Sequence, residues 1–145
     1  MEVSNARQIP FSETRSFPGK YKSLAKIGEF VRQIAQDAGF EKFAVYSIEM
    51  AVDEACSNII EHAYGGEGKG DIRCTCAFNE HTLTIILSDQ GKSFDPSSVP
   101  PPDLSDDIDS RQAHGLGLYF IRQWMDEVHF RSVGMDNILT MVKRR

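Results

Sequence analysis

The sequence predicts an α/β two-layer sandwich in which a mixed, mostly antiparallel sheet carries three helices on one face. Three observations lead there. Two segments with helical apolar spacing follow one another early in the chain, a strictly alternating hairpin comes next, and a third helical segment precedes two closing strands. The length of 145 residues suits one domain. A hydrophobic content of 41% with 10% aromatics is ordinary globular composition and excludes general disorder.

Residues 1–14 are polar and unpatterned and read as a flexible arm or an edge strand, leaving 15–145 as the domain. From Thr14 to Tyr21 a short strand is expected, confined to a sheet edge by Pro18-Gly19. Ser23 then reads as the N-cap of a helix carrying Leu24, Ile27, Phe30, Val31, Ile34, Ala35 and Ala38, with Gly39 as its stop. A second helix is expected from Glu41 to about Tyr64, with Ile48, Val52, Ala55 and Ile59 on one stripe and Gly65-Gly66-Glu67-Gly68 at its end. In a straight helix Glu54, Asn58 and Glu61 fall within about 60° of one another on its polar side.

Ile72, Cys74, Cys76 and Phe78 alternate with Asp71, Arg73, Thr75 and Ala77, turn through Asn79-Glu80-His81 and return as a strand from Thr82 to Leu87. The 25 residues from Asp89 to Ala113 hold four of the six prolines and the acidic Asp103, Asp106, Asp107 and Asp109. Connections of that length inside a domain are usually lids or binding loops. His114-Gly115-Leu116-Gly117-Leu118 leads into the third helix, which carries Ile121, Met125 and Val128. Strands over Val128–Val133 and Ile138–Val142 flank a Gly134-Met135-Asp136-Asn137 turn, and no internal repeat is visible.

Sixteen Lys and Arg against twenty-one Asp and Glu give a formal charge of −5, which argues against attraction of the whole molecule to nucleic acid or anionic lipid. Cys56, Cys74 and Cys76 are odd in number and lack metal-ligand spacing, so they read as small core residues and a disulfide framework is excluded. The opening MEVSNARQIPF has charges and a proline where a signal peptide needs an apolar run, and no stretch approaches the ~18–20 apolar residues of a membrane span. A reduced, cytoplasmic protein is expected.

Three places hold residues suited to chemistry, and each has a plainer reading beside it. A carboxylate and an amide one helical turn apart, Glu54 and Asn58, suit proton acceptance from a hydroxyl and oxygen donation to a cation such as Mg²⁺; alone, such a pair is more often a solvated polar face. Asp89, closing a strand two residues before Gly91, suits an exocyclic purine amine with the backbone close beneath the ring; a turn uses the same letters. Gly115-Leu116-Gly117 at a helix start suits phosphate, or else serves as a hinge. The glycines follow a loop rather than a strand, and GxxxxGK[ST] is absent, so neither a Rossmann nor a P-loop fold is indicated. His62 either reaches the phosphates or caps and packs, Phe120 and Trp124 read as core, and Lys143-Arg144-Arg145 reads as a solvated end.

Taken in order, Glu54-Ala-Cys-Ser-Asn58 with Glu61-His62-Ala63, then Asp89-Gln90-Gly91-Lys92-Ser93-Phe94-Asp95-Pro96, then His114-Gly115-Leu116-Gly117-Leu118 resemble the ATP-binding elements of the GHKL (Bergerat-type) ATPases and kinases. Within that group, DEACSNIIEHAY and HGLGLYFI resemble the anti-sigma factor serine/threonine kinases of bacteria over roughly residues 15–145. The resemblance implies Glu54 as general base and Asn58 as the Mg²⁺ ligand that ties the metal to ATP. It also implies Asp89 and Gly91 at the adenine, His62, His114, Gly115, Leu116 and Gly117 around the phosphates, and an ATP lid over about 96–113. The implied partners are a sigma factor, an anti-sigma antagonist protein as substrate, and a second copy in a homodimer. The alternatives are a non-catalytic module that uses ATP as a switch and a histidine-kinase-like catalytic domain. The pattern departs from the family at Ser93 and Ala113, where glycine is usual, at His114, where arginine is usual, and at Asp136-Asn137, where Gly-Thr is more usual.

Overall fold

The computed structural model describes residues 10–93 and 113–145, with side chains from residue 117 onward in the second stretch. The expected arm, up to residue 9, and the expected lid, up to residue 112, lie outside the described residues. Five strands form one sheet: β1 (Phe11–Pro18), β2 (Asp71–Asn79), β3 (Thr82–Asp89), β4 (Glu127–Val133) and β5 (Asp136–Arg144), in the order β1-β2-β3-β5-β4. All four pairings among the described residues are antiparallel, so the mostly antiparallel sheet is antiparallel throughout. Helices α1 (Leu24–Asp37), α2 (Lys42–Asn58) and α3 (Ala113–Trp124) form the second layer, with α2 packed against both α1 and α3.

The period-two pattern sets the faces. Ile72, Cys74, Cys76 and Phe78 of β2 and Leu83, Ile85 and Leu87 of β3 are fully buried and join Ile27, Ile34, Ile48 and Val52 of the helices in one core. Each large apolar side chain so buried contributes about 1.5–3 kcal/mol relative to exposure. The three cysteines are free and buried, as their spacing implied.

Several boundaries differ from the sequence expectation, each for a local reason. β1 begins at Phe11 and pairs with β2 out to Pro18↔Asp71; Gly19 then meets Gly70 so closely that a Cβ would lie 2.5 Å from the Gly70 oxygen. Ser23 stands at the N-cap position of α1 as expected, but a 3-10 turn over Tyr21–Ser23 precedes the helix, so its backbone is already helical and its buried side chain makes no capping bond. Gly39, at φ 86°, ends α1 in a Schellman arrangement, with Gly39 N donating to Gln36 O and Phe40 N to Ala35 O. Glu41 is the true N-cap of α2, accepting from Ala44 N at 2.8 Å and Phe43 N at 3.2 Å. The tail expected to be solvated is stitched into the fold. Lys143 Nζ donates to Trp124 O, Arg144 pairs with Glu127, and Arg145 Nη1 donates to Ala38 O at 2.6 Å.

The second helix also departs from a straight course. After Asn58 it widens into a π-helical turn over Ile59–Ala63, closed by Tyr64 N to Ile59 O at 2.9 Å and followed by Gly66 N to Ile60 O at 2.8 Å. Phe120 and Trp124, read as core, stack on each other with ring centroids 5.5 Å apart; Trp124 packs on the core while Phe120 is exposed.

Candidate functional site

Glu54 lies on α2 where α3 crosses it. It is half-buried, and its carboxylate accepts no hydrogen bond among the described residues. Burial raises its pKa above the usual glutamate value, Asp53 and Glu61 raise it further, and His62 works in the opposite direction. A carboxylate so treated is a better proton acceptor than an exposed one. Gly117 of α3 stands against it: a Cβ at Gly117 would lie 2.6 Å from Glu54 Oε2. One of the two glycines expected near phosphate is thus also what lets α3 approach the carboxylate.

Asn58, one turn on, is half-buried and its side chain has no hydrogen-bond partner among the described residues. Its amide oxygen is available to a hard cation. Glu61 is exposed and accepts from Tyr21 OH at 3.1 Å, while His62 Nε2 stands 3.8 Å from a Glu61 oxygen and is largely exposed. The π turn separates this pair from the regular helix that the i, i+4, i+7 alignment assumed. It also presents the Ala63 carbonyl to Lys92 N at 2.7 Å and leaves no room for a side chain at Gly91, whose Cβ would lie 2.4 Å from the Ala63 carbonyl carbon and oxygen. The end of α2 and the Asp89–Lys92 segment are therefore one unit.

Asp89 closes β3 with its side chain turned to the helix side and only 6% exposed. Its Oδ1 accepts from Gly91 N at 2.9 Å and from Asn137 Nδ2 at 2.8 Å. Oδ2 has no partner among the described residues. Buried polar atoms in native structures are nearly always hydrogen-bonded, so a carboxylate oxygen beside a glycine with no partner among the described residues has capacity for a further donor. A purine amine has the right chemistry.

Two residues to which the sequence reading gave no role in the site hold this segment. Tyr64 donates its hydroxyl to Asp71 O at 2.6 Å and accepts Gln90 N at 3.0 Å, tying the start of β2 to the end of β3. Burial, partly opposed by the Gln90 N–H, raises its phenol further and keeps it a donor. Asn137 was expected in a turn; β5 instead begins at Asp136, which sets Asn137 directly opposite Asp89 in the ladder. The hairpin alternation ran up to Leu87, and the register opposite it was the available signal. A polar depression of about 490 Å³ is lined by Tyr64, Asp89 and Gln90 together with Ser16, Arg73, Ser88 and Asp136. The cross-strand row Ser16, Arg73 and Ser88 belongs to the sheet face away from the helices, and the depression meets the site at the Asp89 end of β3.

The backbone of His114, Gly115 and Leu116 forms the first turn of α3, and their side chains lie outside the described residues. Unpaired N–H groups of a first helical turn attract anions. Glu54, Asn58, Gly117, Asp89 and Gly91 are thus carried by two helices and one strand end joined through Ala63. Among the described residues, no three His, Cys, Asp or Glu side chains gather to hold a metal ion, and no helix is long and apolar enough to cross a membrane.

Similarities to known proteins agree with this arrangement. Residues 17–143 match the histidine kinase-like ATPase domain family. The chain is 33% identical over 133 residues to a protein of Bacillus cereus named serine-protein kinase RsbW, covering 88% of this chain and 82% of that one. It is 35% identical over 134 residues to the protein of that name in Listeria monocytogenes, covering 88% and 84%. A crystal structure of the RsbU and RsbW domains of a Mycobacterium tuberculosis protein superimposes with a TM-score of 0.66 at 15% identity, covering 92% of this chain and 32% of that one, which establishes a shared fold. With Glu54 and Asn58 on one helix, Asp89 and Gly91 on the strand end joined to it, and Gly117 closing on Glu54, the chain belongs to the histidine kinase-like ATPase domain family and is a relative of the RsbW serine-protein kinases.

Proposed function

We propose that this protein is an ATP-dependent serine/threonine protein kinase and anti-sigma factor, which phosphorylates an anti-sigma antagonist protein and sequesters a sigma factor in the cytoplasm, thereby regulating transcription. The observation that carries the ATP-site reading is the buried Asp89 carboxylate beside Gly91, whose Oδ2 has no partner among the described residues and fits the exocyclic amine of adenine. The names of the relatives support protein phosphorylation.

In this reading ATP is bound with its base at Asp89 and Gly91 and its phosphates toward Asn58 and the first turn of α3, which includes His114, Gly115 and Leu116. His62, on the rim, stands toward the phosphates as well. Asn58 contributes its amide oxygen to Mg²⁺, which neutralises phosphate charge when bound. Glu54 accepts the proton of the substrate hydroxyl as its oxygen bonds to the γ-phosphorus and ADP departs. Its raised affinity for protons suits that task. Transfer of this kind depends on position and charge neutralisation, which matches a site built from one carboxylate, one amide and close-approaching glycines. A homodimer belongs to the same reading.

Capture of partners with and without ATP, followed by phosphotransfer assays on the captured antagonist, tests it. Wild-type protein should transfer phosphate to serine or threonine of the antagonist, and Glu54→Gln should bind ATP yet transfer about 10²–10⁴-fold more slowly. Wild-type rates in Glu54→Gln remove the base assignment. ATP-dependent capture without any transfer supports the non-catalytic switch instead.

A further inference from the structure

Helix α2 is covered on three sides and open on the fourth. Val45, Ile48, Val52 and Ala55 are buried in the core, Glu49 pairs with Arg32 of α1 at 2.9 Å, and Glu54 meets Gly117 of α3. Between the two helical flanks the outer face carries Phe43, 70% exposed, Tyr46, 55% exposed, and the partly buried Met50. At about 100° per residue these three and Glu54 fall within about 80° of one another, and a rise of about 1.5 Å per residue puts about 16 Å between Phe43 and Glu54. Single exposed apolar side chains are ordinary on a protein surface, whereas large ones aligned on one face mark a contact surface. The stripe is also polar at its ends in a fixed order. Lys42 is exposed beside Phe43, and Asp53, exposed one turn beyond Met50, has no ion pair among the described residues.

We propose that Phe43, Tyr46 and Met50 form the docking surface for the phosphoacceptor protein, which covers them with an apolar ridge of its own and sets a basic side chain against Asp53, so that its hydroxyl is delivered to Glu54. A protein kinase has to hold a second protein while one hydroxyl of it reaches the general base, and this face leads to Glu54 along a single rigid helix. The order of charge gives the direction of docking. An acceptor with its basic end toward Asp53 and its acidic end toward Lys42 is attracted, and the reversed arrangement sets like charges together. Two large exposed rings supply affinity away from the reacting atoms, which leaves ATP binding and proton transfer to other residues. The inference rests on the reading of Glu54 as the base of a protein kinase. Its test is chosen so that the two fail separately.

The experiment uses the full chain, ATP labelled on its γ-phosphate, and the phosphoacceptor purified from the source cell as the protein that wild type labels on serine or threonine. Initial rates against acceptor concentration are measured for wild type, Phe43→Ala, Tyr46→Ala, the double variant and Tyr46→Phe, with ATP affinity by calorimetry and oligomeric state by light scattering. Each single alanine variant should raise the KM for the acceptor about tenfold, and the double variant more than either, while kcat and ATP affinity stay within about twofold of wild type. Tyr46→Phe keeps the ring and should keep the wild-type KM. Benzoylphenylalanine in place of Phe43 should photo-crosslink to the acceptor at a peptide that carries apolar and basic residues, which carries the test if the alanine variants do not fold. An unchanged acceptor KM in the double variant, a lowered kcat at unchanged KM, or no crosslink from position 43 overturns the proposal. A double variant that changes only the oligomeric state also overturns it and makes a second copy the occupant of this face. If wild type labels no protein, or Glu54→Gln transfers at the wild-type rate, the reading of Glu54 fails and delivery to it fails as well. If Glu54→Gln is slow while the alanine variants keep the wild-type KM, only the docking surface is overturned.

Discussion

Replacing Gly117 by alanine would put a methyl group 2.6 Å from Glu54 Oε2 and 3.1 Å from its Cδ. The obstructing atoms are the far end of a flexible side chain, so α3 can stay where it is and the carboxylate must give way. Ordinary contact begins near 3.4 Å, so the carboxylate retreats by about 0.8 Å. A misplacement of about 1 Å in a reacting group costs on the order of 10²-fold in rate. Stability should move little. Gly→Ala inside a helix gains about 0.5–1 kcal/mol, and forcing a side chain off its rotamer costs about 0.5–1.5 kcal/mol. The net is within about 1 kcal/mol, or about 2–4 °C in Tm for a domain of this size. Phosphotransfer kinetics with a thermal melt on the same sample should show kcat reduced about 10²-fold with Tm nearly unchanged. Adding Glu54→Gln to the alanine variant should then cost little more than Glu54→Gln alone, because both act on one group. A wild-type kcat, or additive losses in the double variant, would refute the contact as the cause. A collapse in Tm would make Gly117 a packing requirement instead.

Other outcomes follow from the same coordinates. Because burial raises the proton affinity of Glu54 in the folded state, its ionised form opposes folding at neutral pH; Glu54→Gln should therefore raise Tm at pH 7. That advantage should shrink as pH falls through the raised folded value toward the ordinary glutamate value, and an advantage independent of pH would contradict the burial argument. The kcat of the wild type should fall over the same range as the base becomes protonated. Gly91→Ala meets backbone rather than side chain, with its Cβ 2.4 Å from the Ala63 carbonyl, so it should lose nucleotide binding and about 1–3 kcal/mol of stability in titration and denaturant melts. Cys56, Cys74 and Cys76 are buried, and burial pushes the Cys56 thiol far above its usual range. A thiol reagent should leave native protein unmodified and label all three residues only in denaturant; rapid labelling of the native protein would contradict their place in the core.

The sequence by itself determined the layers and most of the site's letters. Alternation at Ile72, Cys74, Cys76 and Phe78 fixed which face of β2 is buried, because strand side chains have a period of two. The 3.6-residue spacing in α1 and α2 fixed their buried stripes for the same kind of reason, and Gly39 marked a left-handed stop that other residues resist. Glu54, Asn58, Asp89, Gly91 and Gly117 stood out because carboxylate, amide and glycine occur at helical or strand-end spacing, and that much is local. The partners of these residues are not local. Gly117 meets Glu54 and Gly91 meets Ala63 only after helices and strand pack, and no one-dimensional pattern encodes the 2.6 Å and 2.4 Å approaches that forbid a Cβ there. Likewise the register Asp89↔Asn137 depends on where the β4–β5 turn ends. A turn drawn two residues too long hid Asn137, whereas an antiparallel ladder beginning at Asp136 puts its amide on the Asp89 carboxylate across 48 positions of chain. The π turn after Asn58 is tertiary in the same sense. Its residues have ordinary helical character, and the wide turn is stabilised by what it presents, the Ala63 carbonyl, to a strand end that the local sequence does not contain.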